Sequence, residues 1–423
     1  MENNKKTPGN LERAVLMLCY HFPPVSSAGT QRSVGFARWL PQFGWQPLVL
    51  AVRKSRNRFE YGGESIPEDV EVVRSFEWDL YGVLTFATGV FNRTCDFLRV
   101  PRRPSPFYRW CLPDPQIAWF TTVRGALLAR RCACIYASCS PFSSAVSACL
   151  IKVITRKPVV LDFRDAWTIN PHATHRGFHR RIVAWLEHWV VRNCDFLVLN
   201  TPGAETAYRR RYPIHAEKMM CIPNGFDRLN VPDRQNATDR FTIMHLGDFY
   251  RSRTPERLLQ ALANLGNRDI EFVQVGPKFD AYARFKDRVS IRVVEHVPHA
   301  EALALMQTAS VLYVSQGWEE GVTDYIAVAS KTYEYLATGL PIIAECPPGD
   351  NADVVRQYAA RAWVVTSPSV EEIQAAVQEA YQSRHAHRPE VTRAFVDTFS
   401  RARLSERLSQ VFDRVVSRYT VAA

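Results

Sequence analysis

Short apolar runs recur along the chain, each followed by a polar loop and then a segment with helical periodicity. Ala14–Cys19, Phe43–Val52, Ile135–Cys139, Val159–Leu161 and Phe196–Leu199 form a first set. Phe241–Leu246, Phe272–Gly276, Val289–Val294, Val311–Ser315, Pro341–Glu345 and Ala362–Val365 form a second. They are rich in β-branched residues and lack strict polar alternation, which fits parallel strands covered on both faces. Between them, Phe36, Trp39 and Leu40 share one side of a predicted helix, as do Leu258, Leu259, Leu262 and Leu265. The expected class is α/β. A chain of 423 residues exceeds one hydrophobic core, so two Rossmann-like domains are expected, 1–228 and 229–395. Asn224-Gly225 marks a turn, and the polar, Pro-containing stretch from Leu229 to Arg240 reads as a linker. Val391 to Val416 reads as helical, with 396–423 a separate C-terminal helix.

Four strand-to-helix junctions carry the candidate chemistry. In Ser330-Lys-Thr-Tyr-Glu-Tyr-Leu-Ala-Thr-Gly-Leu-Pro341, Ser330 is placed to cap a short helix. Gly339 suits the left-handed position after it, and Pro341 stops it. Free N–H groups, the helix dipole and Lys331 make an anion site there, with Thr332 in the same turn. Glu334 stands one place too late for a capping box. It is either free to accept from a diol such as a ribose or an exposed carboxylate that compensates the dipole. In Gly247-Asp-Phe-Tyr-Arg-Ser-Arg-Thr-Pro-Glu256, Arg251 and Arg253 offer guanidinium forks to a diphosphate beside Gly247, or are solvated surface arginines. In the first loop, Gly29 allows close backbone approach and Arg32 is placed to meet a phosphate, unless the loop is a plain connection. It is neither a dinucleotide fingerprint nor a Walker A loop. Asp162, Arg164 and Asp165 end a strand and face a crevice. A carboxylate beside Arg164 stays ionised, so Asp165 suits orienting a hydroxyl, with a buried loop-bracing salt bridge as the alternative.

These junctions resemble a known family. The Ser330–Pro341 motif resembles the donor-site signature of retaining GT-B glycosyltransferases, the family 4-like enzymes that build bacterial surface polysaccharides. Asp162-Phe-Arg-Asp-Ala-Trp167 resembles the Asp-Phe-Arg-Asp-Pro-Trp motif of a subset. Tyr20-His-Phe-Pro-Pro and Gly29-Thr-Gln-Arg32 are similar to their first loop. The resemblance implies two domains facing across a cleft, with the C-terminal helix crossing back to the first. It implies transfer of a sugar from a nucleotide diphosphate sugar to a glycan or lipid-linked hydroxyl, with retention and without a metal. Glu334 would hold the ribose, and Arg253 would stand where relatives place a phosphate-binding Lys. Asp165 with Arg253 and Lys331 would form the catalytic set, and the leaving phosphate would take the proton. Two departures stand out. Ile326 occupies the position of a sugar-contacting acid, for which Asp324, Glu320 or Glu319 are substitutes, and Ala145 lies where relatives carry a His. Two other readings remain: a nucleotide-sugar 2-epimerase, which shares the two-domain architecture, and a binding protein that has lost catalysis, which Ile326 and Ala145 would fit.

The net charge of +11 points to a polyanionic neighbour. Trp78 to Phe91 is apolar, and Leu98–Trp110 carries four Arg and no acid. That composition suits an anionic bilayer surface; the alternative is an insertion of about 78–120 packed on its own domain. No nucleic-acid fold signature appears, and no run is long enough to span a bilayer. The expected location is cytoplasmic, peripheral on the inner membrane face. The ten cysteines are scattered and read as buried thiols. His172, His175 and His179 are spaced for a metal on a helix, but Pro171 and Gly177 interrupt it, and no metal is expected.

Overall fold

A computed structural model describes residues 13–25, 28–53, 65–78, 80–98, 100, 111–119, 121–170, 177–227, 240–250, 252–295, 297–386 and 390–422. The chain divides into two compact units. One holds Met1–Asn200, Ala204–Ile222 and Leu404–Ala423; the other holds Thr201–Gly203 and Pro223–Arg403.

The first unit runs β1 (Ala14–Leu18), α1 (Ala28–Trp39), β2 (Gln46–Val52), β3 (Glu71–Ser75), α2 (Leu80–Phe97), α3 (Thr122–Ala129), β4 (Cys134–Cys139), α4 (Ser143–Thr155), β5 (Val159–Phe163), α5 (Gly177–Asn193), β6 (Phe196–Leu199), α6 (Pro202–Arg211) and β7 (Met219–Cys221). The second continues β8 (Phe241–Leu246), α7 (Glu256–Leu265), β9 (Ile270–Val275), β10 (Ser290–Val294), α8 (His299–Met306), β11 (Val311–Ser315), α9 (Ser330–Ala337), β12 (Ile342–Glu345), α10 (Asp350–Tyr358), β13 (Ala362–Val365), α11 (Val370–Gln382) and α12 (Arg393–Phe399), before α13 (Arg401–Ala422). The sheet orders are β3-β2-β1-β4-β5-β6-β7 and β10-β9-β8-β11-β12-β13. All pairings are parallel. Both orders reverse direction beside their first strand, the topology that opens a crevice at the carboxyl ends of the strands.

Strand alternation sorts side chains onto the two faces of each sheet. In the second unit, Met244, Val273, Leu312 and Ile342 join one core, while Ile243, Phe272, Tyr313 and Ile343 join the other. In the first, Val15, Met17, Tyr136 and Val160 pack with Val34 and Phe36 of α1 and with Leu404, Leu408, Val411, Phe412 and Val415 of α13. That stripe at helical spacing ties α13 to the first unit. Trp45 meets Phe412 edge-on at 5.2 Å, and its indole donates to Asp413 at 3.2 Å.

The units divide at Ile222–Pro223, not at residue 228. Phe226 stacks on Phe395 at 4.9 Å and bridges to Ser400, which draws the segment after Pro223 into the second unit. The expected helix from Val391 to Val416 is two helices, broken at the extended Ser400. The apolar stretch from Trp78 is mostly a helix of 18 residues, α2. The expected linker from Leu229 to Arg240, apart from Arg240, and the Arg-rich stretch Leu98–Trp110, apart from Leu98 and Val100, lie outside the described residues.

A buried strut repeats in both units. Asp162, the penultimate residue of β5, accepts both Nε and Nη2 of Arg32 from α1, at 2.8 and 2.9 Å, and the hydroxyl of Tyr136 from β4. Glu345, ending β12, accepts Arg257 from α7 and the hydroxyl of Tyr313 from β11. The register is the same. Ser138 pairs with Asp162 and Ser315 with Glu345, and each Tyr stands two residues before its Ser.

Candidate active site

In the second unit the site is built where β8 and β9 end. Gly247 follows β8 at φ +95°, and Gly276 follows β9 at φ +138°. Both values lie where only glycine is unstrained. A Cβ on Gly276 would come within 3.0 Å of the Gly247 carbonyl oxygen, and one on Gly247 within 3.1 Å of Lys331 Nζ. The two glycines thus let a lysine lie against bare backbone.

Lys331, the second residue of α9, donates to the Leu246 carbonyl at 2.6 Å and contacts His245 Nε2 at 3.1 Å. His245 is buried, and its Nδ1 lies 2.9 Å from the Tyr313 carbonyl. A carbonyl only accepts, so Nδ1 carries the proton and Nε2 offers a lone pair to the ammonium. Burial, and then the charge of Lys331, hold the imidazole well below its usual pKa and therefore neutral. Two of the three ammonium protons of Lys331 are engaged, leaving one for an anion. Burial and the nearby Arg253 push its pKa down to about 8, against opposing pulls from Asp248 and Glu334. Arg253 is half-buried, stands 5.0 Å over the Tyr250 ring and forms no ion pair with any described residue. Two neighbouring cations with no acid paired to either are a site built for a polyanion.

The other expected residues fall differently. Ala329, not Ser330, is the N-cap of α9, with no side-chain cap. Glu334 therefore lies past the first turn, half-buried, and the first turn holds no acid. It still acts on Lys331 electrostatically. Gly339 takes the expected left-handed conformation, at φ +69°. The Thr332 hydroxyl is buried against Asn351 at 2.9 Å, and its N–H goes to Ala329, so neither faces a ligand. Arg251 lies outside the described residues. Of the acids near Ile326, Glu319 accepts the Ser252 hydroxyl, whereas Glu320 and Asp324 are exposed. Ala145 is buried in α4.

In the first unit, Arg32 does not serve as a phosphate ligand. Its side chain is buried, and it also donates to the Ile222 carbonyl at 2.8 Å. Burial opposes its charge, but Asp162 outweighs that and holds the guanidinium above its usual pKa. The arginine beside Asp162 is thus Arg32 and not Arg164. Arg164 reaches the Ser140 carbonyl at 2.9 Å. Gly29 lies inside α1 rather than in the loop, and a Cβ there would come within 2.5 Å of the Arg164 guanidinium. The space it leaves belongs to that side chain. Burial and Arg164 push His21 down to about 3, so it is neutral. Asp165 is exposed and makes no hydrogen bond or ion pair with any described residue.

His245 was not among the expected residues. Its only signal is a lone polar residue near the carboxyl end of the apolar run Phe241–Leu246. His172 and His175 lie outside the described residues; among those described, no group of three His, Cys, Asp or Glu is placed to hold a metal.

Residues 28–225 match the family model of a glycosyl transferase 4-like domain. No curated protein matches the chain. Among solved structures, Anabaena HepE in complex with UDP and glucose is 14% identical with a TM-score of 0.63, over 96% of this chain and 100% of that one. A glycosyltransferase from Rickettsia africae is 12% identical with a TM-score of 0.60, over 96% and 99%. Sucrose-phosphate synthase from Thermosynechococcus elongatus is 14% identical with a TM-score of 0.58, over 97% and 98%. At these identities the likeness is one of fold: two parallel-sheet α/β domains in the GT-B arrangement of strands and helices.

Proposed function

We propose that this protein transfers a sugar from a nucleotide diphosphate sugar to an acceptor hydroxyl, with retention. The observation that carries the reading is a pair of cations, Lys331 set against the Gly247–Gly276 shelf and Arg253 near enough to act on its charge. The shelf lies at the carboxyl ends of the strands, where α/β sheets bind phosphorylated ligands. HepE, of the same fold, has been captured with UDP and glucose, which supports a nucleotide-sugar donor.

Sugar transfer leaves charge on the departing diphosphate. Lys331 and Arg253 neutralise it electrostatically, taking the place of a metal ion. Glu334 accepts from the ribose, and Arg251 assists at the diphosphate. Asp165, exposed and unpaired, orients the acceptor hydroxyl; the leaving phosphate takes its proton. The acceptor is a glycan, polysaccharide or lipid-linked, and the protein works peripherally on the inner face of an anionic membrane. Support for the last point is α2, where Val83, Phe86 and Val90 form an exposed apolar stripe. Among the described residues no helix is long and apolar enough to cross a membrane.

The test is a panel of nucleotide sugars, followed for release of nucleoside diphosphate with and without glycan acceptors. Release that depends on an acceptor, with an anomeric configuration matching the donor's by NMR, is the expected result. Turnover of the nucleotide sugar alone would identify an epimerase, and tight donor binding without turnover a binding protein.

A further inference from the structure

Among the described residues, every exposed large apolar side chain except Tyr250 and Val396 lies in the first unit. A second group of them sits away from α2. On α3, Val123 and Leu127 are 66% and 57% exposed; on α4, Leu150, Val153 and Ile154 are 41%, 69% and 60% exposed. Within each helix the spacings of three and four place these side chains on one face. The helices abut closely, for a Cβ on Gly125 of α3 would come within 2.4 Å of Ile151 Cδ1 of α4. Two apolar stripes therefore flank one seam.

The border of this ridge is basic. No Asp or Glu occurs between Asp114 and Asp162, a span that holds Arg124, Arg130, Arg131, Lys152, Arg156 and Lys157. Arg131 pairs with Glu71 and Lys152 with Asp195. Arg124, Arg130, Arg156 and Lys157 form no ion pair with any described residue, and all but the half-buried Lys157 are exposed. Each helix ends just before one of the adjacent parallel strands β4 and β5. Both C-termini, with Arg130, Arg131, Arg156 and Lys157, therefore gather at one edge. Cations there complement the helix dipoles, but the dipoles do not require the apolar stripes beside them.

The occupant has to satisfy both features. A second copy of the chain would bring like charges together. A specific protein partner usually finds about one hydrogen bond per 100–200 Å² of interface. The ridge offers little for that: Ser143, Ser144 and Ser147 are buried, and Thr155 bonds the Ile151 carbonyl of its own helix. An apolar surface whose rim carries four unpaired Arg and Lys beyond the two paired with Glu71 and Asp195 matches a bilayer with anionic headgroups, where side chains enter the acyl boundary and cations meet phosphates.

We propose that the outer face of α3 and α4 docks on an anionic lipid bilayer. This deepens the membrane reading given above for α2, on which it rests, and makes the contact a face of the first unit. The test is flotation of the full chain with vesicles of phosphatidylcholine alone or mixed with phosphatidylglycerol. The compared variants are Val153→Asp/Ile154→Asp, Arg124→Glu/Arg130→Glu and, for α2, Phe86→Asp. The expected result is that wild type floats with anionic vesicles and is released by salt. Each α3/α4 double variant loses roughly tenfold or more of that binding, since it removes apolar or ionic attraction. Melting temperature and nucleotide-sugar affinity stay unchanged. Three results would overturn the proposal: α3/α4 variants that float like wild type, equal binding to neutral vesicles, or a wild-type dimer by light scattering that these variants make monomeric. Loss of flotation in Phe86→Asp alone would leave the α2 reading standing and remove this one. A chain that floats but takes no nucleotide sugar would instead remove the transferase reading.

Discussion

The two units hold the same Tyr–acid–Arg strut in the same register and use it differently. In the first, Arg32 and Asp162 are sealed, with side chains 4% and 0% exposed. In the second, Arg257 is 28% exposed and stacks 4.8 Å from the Trp318 ring, while Glu345 stays buried. Burial raises the pKa of Glu345 despite the lowering pull of Tyr313 and Arg257. Charge at the first strut is fully compensated and serves the packing of α1 on its sheet. The second unit adds uncompensated cations beside its strut, at Lys331 and Arg253. A charged residue at a strand's carboxyl end is thus weak evidence of a site by itself; what distinguishes a site is a charge left without a partner.

The largest effect is expected at the sealed strut. Arg32→Ala leaves Asp162 buried and unpaired, which should cost about 3–5 kcal/mol of stability. A denaturant melt that barely moves would show that the strut is dispensable. Arg253→Ala and Lys331→Ala should do the opposite, each lowering turnover by about 10²–10³ with the melt nearly unchanged. Activity loss that merely tracks a lowered melting temperature would sink their role. Arg257→Ala lies between. Glu345 keeps the Tyr313 hydroxyl as a donor, so a loss of about 1–3 kcal/mol of stability is expected. Glu334→Gln should weaken donor binding by about 1–3 kcal/mol, and unchanged calorimetric affinity would remove its assignment to the ribose. The smallest effect is with pH. Lys331, with a pKa of about 8, is charged below that value and loses its charge as pH rises through it. Donor affinity should hold below pH 8 and fall above it, by at most about tenfold per pH unit for one proton. A flat profile to pH 10 would show that this ammonium does not meet the diphosphate.

Much of this was legible in the sequence. The strands Phe196–Leu199, Phe241–Leu246, Val311–Ser315 and Ala362–Val365 stand where their apolar runs place them, because burial on both faces leaves an unbroken signature. Gly247 and Gly339 were legible because positive φ selects glycine. The Arg32–Asp162 pair was not, since its members lie far apart in the chain and Arg164 offers a nearer partner on paper. Strand alternation still contains a clue: Asp162 points the same way as Val160, toward α1. The N-cap of α9 slipped by one residue because Ser330 is a good capping side chain, whereas Ala329 takes the N-cap position without any side-chain cap. The exposed stripes of α3 and α4 have the periodicity of any core-facing helix, so no pattern rule tells an outward face from an inward one.

The place of α13 in the first unit bears on how the protein is made. Val34, Phe36 and Trp45 share a core with Leu404, Leu408 and Phe412, yet every residue of the second unit is translated between them. Each of these apolar side chains gains roughly 1.5–3 kcal/mol on burial, and none of that is complete until α13 leaves the ribosome. The second unit, finished by Arg403, is therefore able to fold first, inverting the usual N-to-C order of domain folding during synthesis. Until then the apolar side chains of β1, α1 and β2 lack the partners that α13 supplies.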